Sequence, residues 1–305
     1  MPETPAAPGA FIVIRALRLP FIGASLLPYA IGAAYACGHG GCSWARTAVG
    51  AVLVALAHLA ANVLNDYGDA KLGADWQDMT AYGFYGGSKL IQQGVLDERW
   101  YLRAGLLLDG AYVALLFVFA AVYGLWGVVA PGIAIAAVAA AYSLPPLKLS
   151  YRGLGELCVI ALFGPCAVCG GYVLARGALP GGTLFLLSLA SGLLTGAILV
   201  CNGIADIRTD AAAGKKTLAV RCGFAGARRL FLSMTFGAGA LVAFAPPRAL
   251  AVAASCAAVA TGIAVDRLIG RCGGDAARMK TPAIVMIAGH AVCHALLIAL
   301  AAAAA

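Results

Sequence analysis

AVLVALAHLAANVLNDYGDAKLGAD, residues 51–75, decides the fold. Its first half is a continuous apolar run, long enough with the preceding residues to cross a bilayer as a helix, which takes roughly 17–25 residues. The run does not alternate apolar with polar, so the strands of a membrane barrel are excluded. Its second half turns acidic. His58, Asn62, Asp66 and Asp69 recur at helical spacing and make one polar stripe at the end of the span. Polar groups so near hydrocarbon are expensive unless they pair or serve a function.

The rest of the chain agrees. Of its 305 residues 62% are hydrophobic and 11% charged, and mean hydropathy is +0.91. Soluble domains carry about 25% charged residues, and a soluble surface could not hide so much apolar area. Disorder, collagen and disulfide-rich secreted scaffolds fall to the same numbers. The chain reads as an all-α, polytopic membrane protein, one bundle over residues 1–305. Nine spans are expected, at 19–37, 47–64, 104–122, 125–144, 157–175, 181–203, 230–245, 249–265 and 281–303. The windows 230–245 and 249–265 are short and extend into their flanks.

Alternate loops sort the basic residues. One set carries 18 of the 21 lysines and arginines; the other holds Arg46, Arg176 and Arg248. The richer set is expected on the cytoplasmic side. The net charge of +8 is then a membrane-surface property that needs no nucleic-acid partner. The N-terminus lacks a cleavable-signal pattern, so the first span is expected to remain, in a bacterial inner membrane with the N-terminus inside. Cys37 and Cys42 flank His39 in an outward loop, where pairing or metal binding is open but unpaired thiols are the plainer reading. Cys166 and Cys169 sit in an apolar helix that argues against redox chemistry.

A second acidic stretch, CNGIADIRTD, ends the sixth span on the same side. Asn202, Asp206 and Asp210 are four apart and are expected to share a helical face. Two oxygen clusters at equivalent helix ends suit a hard divalent cation. Basic residues surround them: Lys89 after the first cluster, Lys148 and Arg152 in the next loop of that side, Lys215 and Lys216 after the second. Carboxylates for a metal with cations for direct contact is the pattern a polyphosphate requires.

Four stretches carry a resemblance to a family: NVLNDYGDAKLGAD at 62–75, GGSKLIQQG at 86–94, YSLPPLKLSYRGLGE at 142–156 and DIRTDAAAGKKTLAVRCG at 206–223. Together they resemble the UbiA superfamily of membrane prenyltransferases, in its 1,4-dihydroxy-2-naphthoate branch of menaquinone synthesis. The resemblance implies Mg²⁺-dependent transfer of a prenyl group from a prenyl diphosphate to that aromatic acceptor. It implies Asp66, Asp69, Asp206 and Asp210 as catalytic metal ligands, with Asp75 a further candidate. Asn62, Asn202, Lys89, Lys148, Arg152, Lys215 and Lys216 are then the expected substrate contacts, and Tyr67, Tyr142 and Tyr151 candidates to shield a cation. Ala205 and Lys89 stand where that branch often has arginine. An apolar prenyl tail is expected to lie between helices, in contact with lipid.

Other readings stand beside this one. The acceptor is alternatively 4-hydroxybenzoate, another quinone precursor, a lipid or a tetrapyrrole. A cation-coupled transporter would place its carboxylates near the midplane, whereas here they lie at one side. His290 and His294 are read as hydrogen-bonded core histidines, and Glu156 as a helix-terminal charge.

Overall fold

The computed structural model describes residues 9–76 and 86–304, apart from the side chain of Asp75. Every regular element among them is helical. A short helix α1 (Ala10–Ala16) leads into α2 (Gly23–Gly38), α3 (Trp44–Leu72), α4 (Glu98–Tyr123) and α5 (Val129–Ser143). Then come α6 (Gly155–Ala161), a π-helical turn Leu162–Cys166, and α7 (Ala167–Arg176), which together form one span. The remainder is α8 (Gly182–Ala205), α9 (Ile207–Ala212), α10 (Leu218–Val242), α11 (Arg248–Cys272) and α12 (Lys280–Ala303).

Local chemistry sets the ends. Ser43 accepts from the Arg46 amide to cap α3, and Gly73, at φ 84°, closes it in the left-handed conformation that glycine adopts without strain. Asp97 caps α4 through the Trp100 amide at 2.6 Å. Thr217 caps α10 through the Val220 amide. α3 therefore runs well past its apolar window and carries the whole first acidic stripe inside the helix.

Eight helices among the described residues are long and apolar enough to cross a membrane. α10, where a ninth span is expected, is broken at Gly223 (φ 65°, ψ 177°) and carries Arg221 before that kink and Arg228 and Arg229 soon after it. Arg228 grips Asp266 of α11 with two hydrogen bonds, 2.8 and 2.9 Å, the bidentate geometry a guanidinium favours. The interior is built from small and aliphatic residues of α2, α7, α8, α10, α11 and α12, as in membrane bundles where small residues let helices approach. His290 and His294 are buried there, bonded to Thr195 at 3.1 Å and Ser191 at 2.9 Å, the structural role expected of them.

At the end remote from the acids, Cys37 and Cys42 form a disulfide. This corrects the reading of them as unpaired: the turn after α2 brings their Cα atoms to 4.7 Å, within bonding range.

Candidate active site

The two acidic segments meet. From α3, Asp66 and Asp69 are buried; from α9, Asp210 is buried beside them. Lys215, in the turn after α9, joins the two: its Nζ is 3.0 Å from Asp69 Oδ1 and 3.4 Å from Asp210 Oδ1. Its amide also donates to the Asp210 carbonyl at 2.9 Å, which fixes the turn. Tyr151 donates to Asp69 Oδ1 at 3.0 Å and lies under the Lys215 ammonium, 5.0 Å from ring centroid to Nζ. Burial alone would pull the Lys215 ammonium down, but Asp69 and Asp210 hold it well above its ordinary value. Burial, and then Asp69, pushes the Tyr151 hydroxyl well above its own.

Asp66 faces another way. Its Oδ1 is 3.5 Å from Arg18 and its Oδ2 accepts from the Ser88 amide at 2.9 Å. The His58–Asn62–Asp66 stripe thus looks toward the N-terminal segment, where Asn62 donates to the Leu17 carbonyl and His58 meets Ser25. The neighbouring stripe, Asn65 and Asp69, faces the other acids. Asn65 bonds Asp69 at 3.3 Å and Ser143 at 2.9 Å.

A polar cavity of about 130 Å³ lies among these groups; Asp66, Asn62 and Tyr151 are not part of its lining. Asp69, Asp206, Asp210 and Asn202 line it, with Lys89, Lys215, Arg18, Glu156 and Tyr142. Lys148, Arg152 and Lys216 are not among its lining residues. Arg152 instead bonds the Pro146 carbonyl, and Lys216 is exposed while its amide donates to Tyr151. The Asp75 side chain lies outside what is described. Tyr67 packs in the cluster around Leu90 and Tyr101.

One expectation changes in detail. Asn202, Asp206 and Asp210 do not share one continuous helix: the helical path breaks at Asp206, φ −96° and ψ 4°, and α9 restarts after it. The Asp206 carbonyl accepts from the Asp210 amide at 2.8 Å and from the Thr209 hydroxyl at 3.0 Å, a local side-chain bond of the kind that competes with helix continuation.

Arg18, Asn65 and Glu156 were not among the expected contacts. Glu156 is buried, accepts from the Leu218 amide at 2.8 Å through Oε1, and has no hydrogen-bond partner on Oε2 among the described residues. Arg18, Lys89 and Lys148 all have positive φ, 52°, 60° and 44°. Strain of this sort collects at functional sites, and two of the three line this cavity.

The donor set suits Mg²⁺: hard oxygen throughout, with no thiolate or imidazole. Among the described residues no three such side chains close on one point as a ready metal cage. That matches a cation which prefers one or two carboxylates plus water and substrate phosphate. Between Asp69 and Asp210 the position of a cation is held by the Lys215 ammonium.

A 1,4-dihydroxy-2-naphthoate octaprenyltransferase of Haemophilus influenzae is 33% identical over 184 residues, 55% of this chain and 54% of that protein. The alignment thus spans about half the length of that relative. The Mycobacterium tuberculosis protein of the same description is 35% identical over 222 residues, 70% of this chain and 73% of its own. The fold is that of a UbiA homolog from Archaeoglobus fulgidus solved with GPP and Mg²⁺, with a TM-score of 0.63 at 17% identity over 94% of this chain and 99% of that one. The UbiA prenyltransferase family matches residues 25–287, most of the sequence, and the chain belongs to that family.

Proposed function

We propose that the protein transfers a prenyl group from a prenyl diphosphate to an aromatic acceptor, 1,4-dihydroxy-2-naphthoate, in menaquinone synthesis. The observation that carries this reading is the joining of two buried acidic segments through Lys215, in a cavity that also receives Lys89 and Arg18. The relatives' descriptions favour the naphthoate acceptor, and the A. fulgidus homolog was solved with a prenyl diphosphate and Mg²⁺.

Asp69 and Asp210, with Asp66 and Asp206, would hold Mg²⁺, which when bound neutralises charge on the diphosphate as its C–O bond breaks. Lys215 and Lys89 offer direct cationic contact to the same oxygens, and Asn202 a neutral one. Arg18 orients Asp66. Tyr142, which lines the cavity, is assigned to shield the allylic cation through its ring face, while the Tyr151 ring faces the Lys215 ammonium. Burial at the mouth of the bundle keeps water from the allylic cation. The electron-rich ring attacks that cation through the carbon bearing its carboxylate, and the C–COO⁻ bond then breaks, its electron pair restoring the aromatic ring as CO₂ leaves.

The chain that trails from the diphosphate is hydrocarbon, and a place for it adjoins. Below the polar cavity lies an apolar one of about 690 Å³. Asn65 and Asp69 of α3 line the first, Ala57 and Ala61 the second. Residues four apart lie on one helix face, so a single face of α3 leads from one into the other.

We infer nine spans in one UbiA-type domain, α10 included because Asp266 neutralises its Arg228. The acidic end is assigned to the cytoplasm by the basic loops. The disulfide at the opposite end suits an oxidising exterior.

The test is a prenyl-transfer assay on purified protein in detergent, with a long-chain prenyl diphosphate, with and without Mg²⁺. Dihydroxynaphthoate and 4-hydroxybenzoate are supplied in parallel and products are read by mass. A Mg²⁺-dependent prenylated, decarboxylated naphthol supports the proposal. A prenylated hydroxybenzoate moves the acceptor, and no product with either overturns the naphthoate assignment.

A further inference from the structure

Among the described residues that line the apolar cavity, one buried side-chain nitrogen has no hydrogen-bond partner. It is Nε2 of His58, a residue 8% exposed in the cavity wall. Its Nδ1 is 2.6 Å from the Ser25 hydroxyl. The other hydroxyl in the wall, Tyr112, already donates to the Gly132 carbonyl at 3.1 Å. Ser25 shows no other acceptor among the described residues, so its hydroxyl donates to Nδ1. The hydrogen-bond network thereby assigns the ring proton to Nε2.

The wall beside this donor is built in an unusual way. The π-helical turn Leu162–Cys166, with Pro165 inside it, carries Phe163 edge-on to the His58 ring, centroids 6.0 Å apart at 82°. Turns of this kind are rare and concentrate at functional sites. His58 itself sits two turns deeper than Asp66 on α3, about 12 Å along the axis at 1.5 Å per residue.

A prenyl chain has no oxygen to offer at that depth. A buried N–H left unpaired in an apolar wall is costly, so a ligand carrying an acceptor there gains what a hydrocarbon cannot. The ligand must be lipophilic over most of its surface, flat enough to lie against Phe163, and equipped with a bare carbonyl. A phospholipid ester is tied to a charged headgroup, and the described lining of this cavity includes no Asp, Glu, Lys or Arg to receive one.

We propose that the cavity has a second class of occupant: a lipid-soluble quinone whose ring carbonyl accepts a hydrogen bond from His58 Nε2. The quinone site stands on the cavity and His58 alone. Only its competition with a prenyl chain rests on the function proposed above, because one cavity cannot hold both.

The experiment uses the purified full chain in detergent, without Mg²⁺ or diphosphate. A radiolabelled 2-methyl-1,4-naphthoquinone with a two-isoprene tail is compared by equilibrium dialysis with a 2-methylnaphthalene bearing the same tail. The wild type is expected to bind the quinone at least tenfold more tightly. H58F should erase that preference, and S25A, which releases the ring from its orienting partner, should reduce it several-fold. Infrared spectra should show the quinone carbonyl band shifted to lower frequency in the wild-type complex, a readout that holds if H58F does not fold. Equal affinity for the two probes, an unshifted carbonyl band, or a preference that survives in folded H58F overturns the site. In a further arm, a non-hydrolysable prenyl thiodiphosphate with Mg²⁺ is expected to displace the quinone. Simultaneous binding would overturn the competition while leaving the His58 contact in place.

Discussion

Lys215 Nζ lies 3.0 Å from Asp69 Oδ1, although 145 residues separate them in the chain and they sit after different spans. With Asp210 at 3.4 Å, this single ammonium ties the two acidic segments into one site. Removing it takes away the ammonium that joins these two buried carboxylates, and breaking a buried pair in this way costs about 3–5 kcal/mol. K215M is therefore expected to melt well below the wild type without metal and to regain much of the difference with Mg²⁺. Turnover should fall at least a hundredfold. Thermal unfolding with and without Mg²⁺, alongside the prenyl-transfer assay, checks both.

The same pair sets a pH signature. Lys215 is held above its ordinary value of 10.5, so its folded form keeps a proton that the unfolded chain releases earlier. The stability it contributes is fully present below about pH 10.5 and lost as pH rises through the higher folded value. Tyr151, also raised, acts in the same direction. The wild type should show no loss of melting temperature from these groups between pH 6 and 9 and a decline above pH 10. K215M should lack most of its own share of that decline.

Asp66 and Asp206 differ in surroundings but are predicted to be equally indispensable. D66N and D206N are each expected to lower kcat at least a hundredfold while the protein remains folded in detergent. Asp66 exchanges its charge with Arg18, so R18Q should weaken diphosphate binding as well, seen as a raised KM. Wild-type turnover in both aspartate variants would remove the metal–diphosphate assignment.

Much of this site could be read from spacing alone. An apolar run followed by polar residues at helical intervals identifies a span, its end and its acids, because helix geometry is local. The facing of each stripe is not local. Asp66 and Asp69 read as one stripe, yet one meets Arg18 and the other Lys215 and Tyr151, since α3 is covered on two sides by different segments. Lys148, Arg152 and Lys216 carry the right charge in the right loops but do not line the polar cavity, because loop cations are placed by backbone turns that no periodicity reports. Asn65 is hidden in the pattern by its neighbour Asp66, which carries the charge. Arg18 is hidden because one arginine before a first span is indistinguishable from topological bias. The break at Asp206, next to a Thr209 hydroxyl bond to its carbonyl, is a local feature that apolar windows do not register.

Gly68 lies between the two aspartates of α3 and faces α5. A Cβ there would come within 2.8 Å of the Ser143 Cβ, and Ser143 is also the partner of Asn65. Overpacking of this kind costs about 1–3 kcal/mol. G68A should lower both melting temperature and turnover, the latter more than tenfold, by moving Asn65 and Asp69 together. G110A is the matching control: nothing lies within 4 Å of a Cβ on α4 at that position. There the added methyl should leave stability unchanged or raise it by up to about 1 kcal/mol through helix propensity.

Glu156 separates a structural contribution from a chemical one within a single side chain. Its Oε1 accepts from the Leu218 amide at the start of α10, while Oε2 has no hydrogen-bond partner among the described residues and the side chain lines the polar cavity. E156Q keeps an oxygen for the Leu218 amide and removes the charge; E156A removes both. If the cavity uses the carboxylate, E156Q should melt within about 1 kcal/mol of the wild type, the scale of one neutral hydrogen bond, yet turn over at least tenfold more slowly. E156A should lose stability as well, because a buried helix-terminal N–H is left unmet at a cost of about 1–3 kcal/mol. Melting curves and kcat measured on both variants decide the matter. Equal kcat in E156Q and wild type, with only E156A destabilised, would confine Glu156 to holding the first turn of α10.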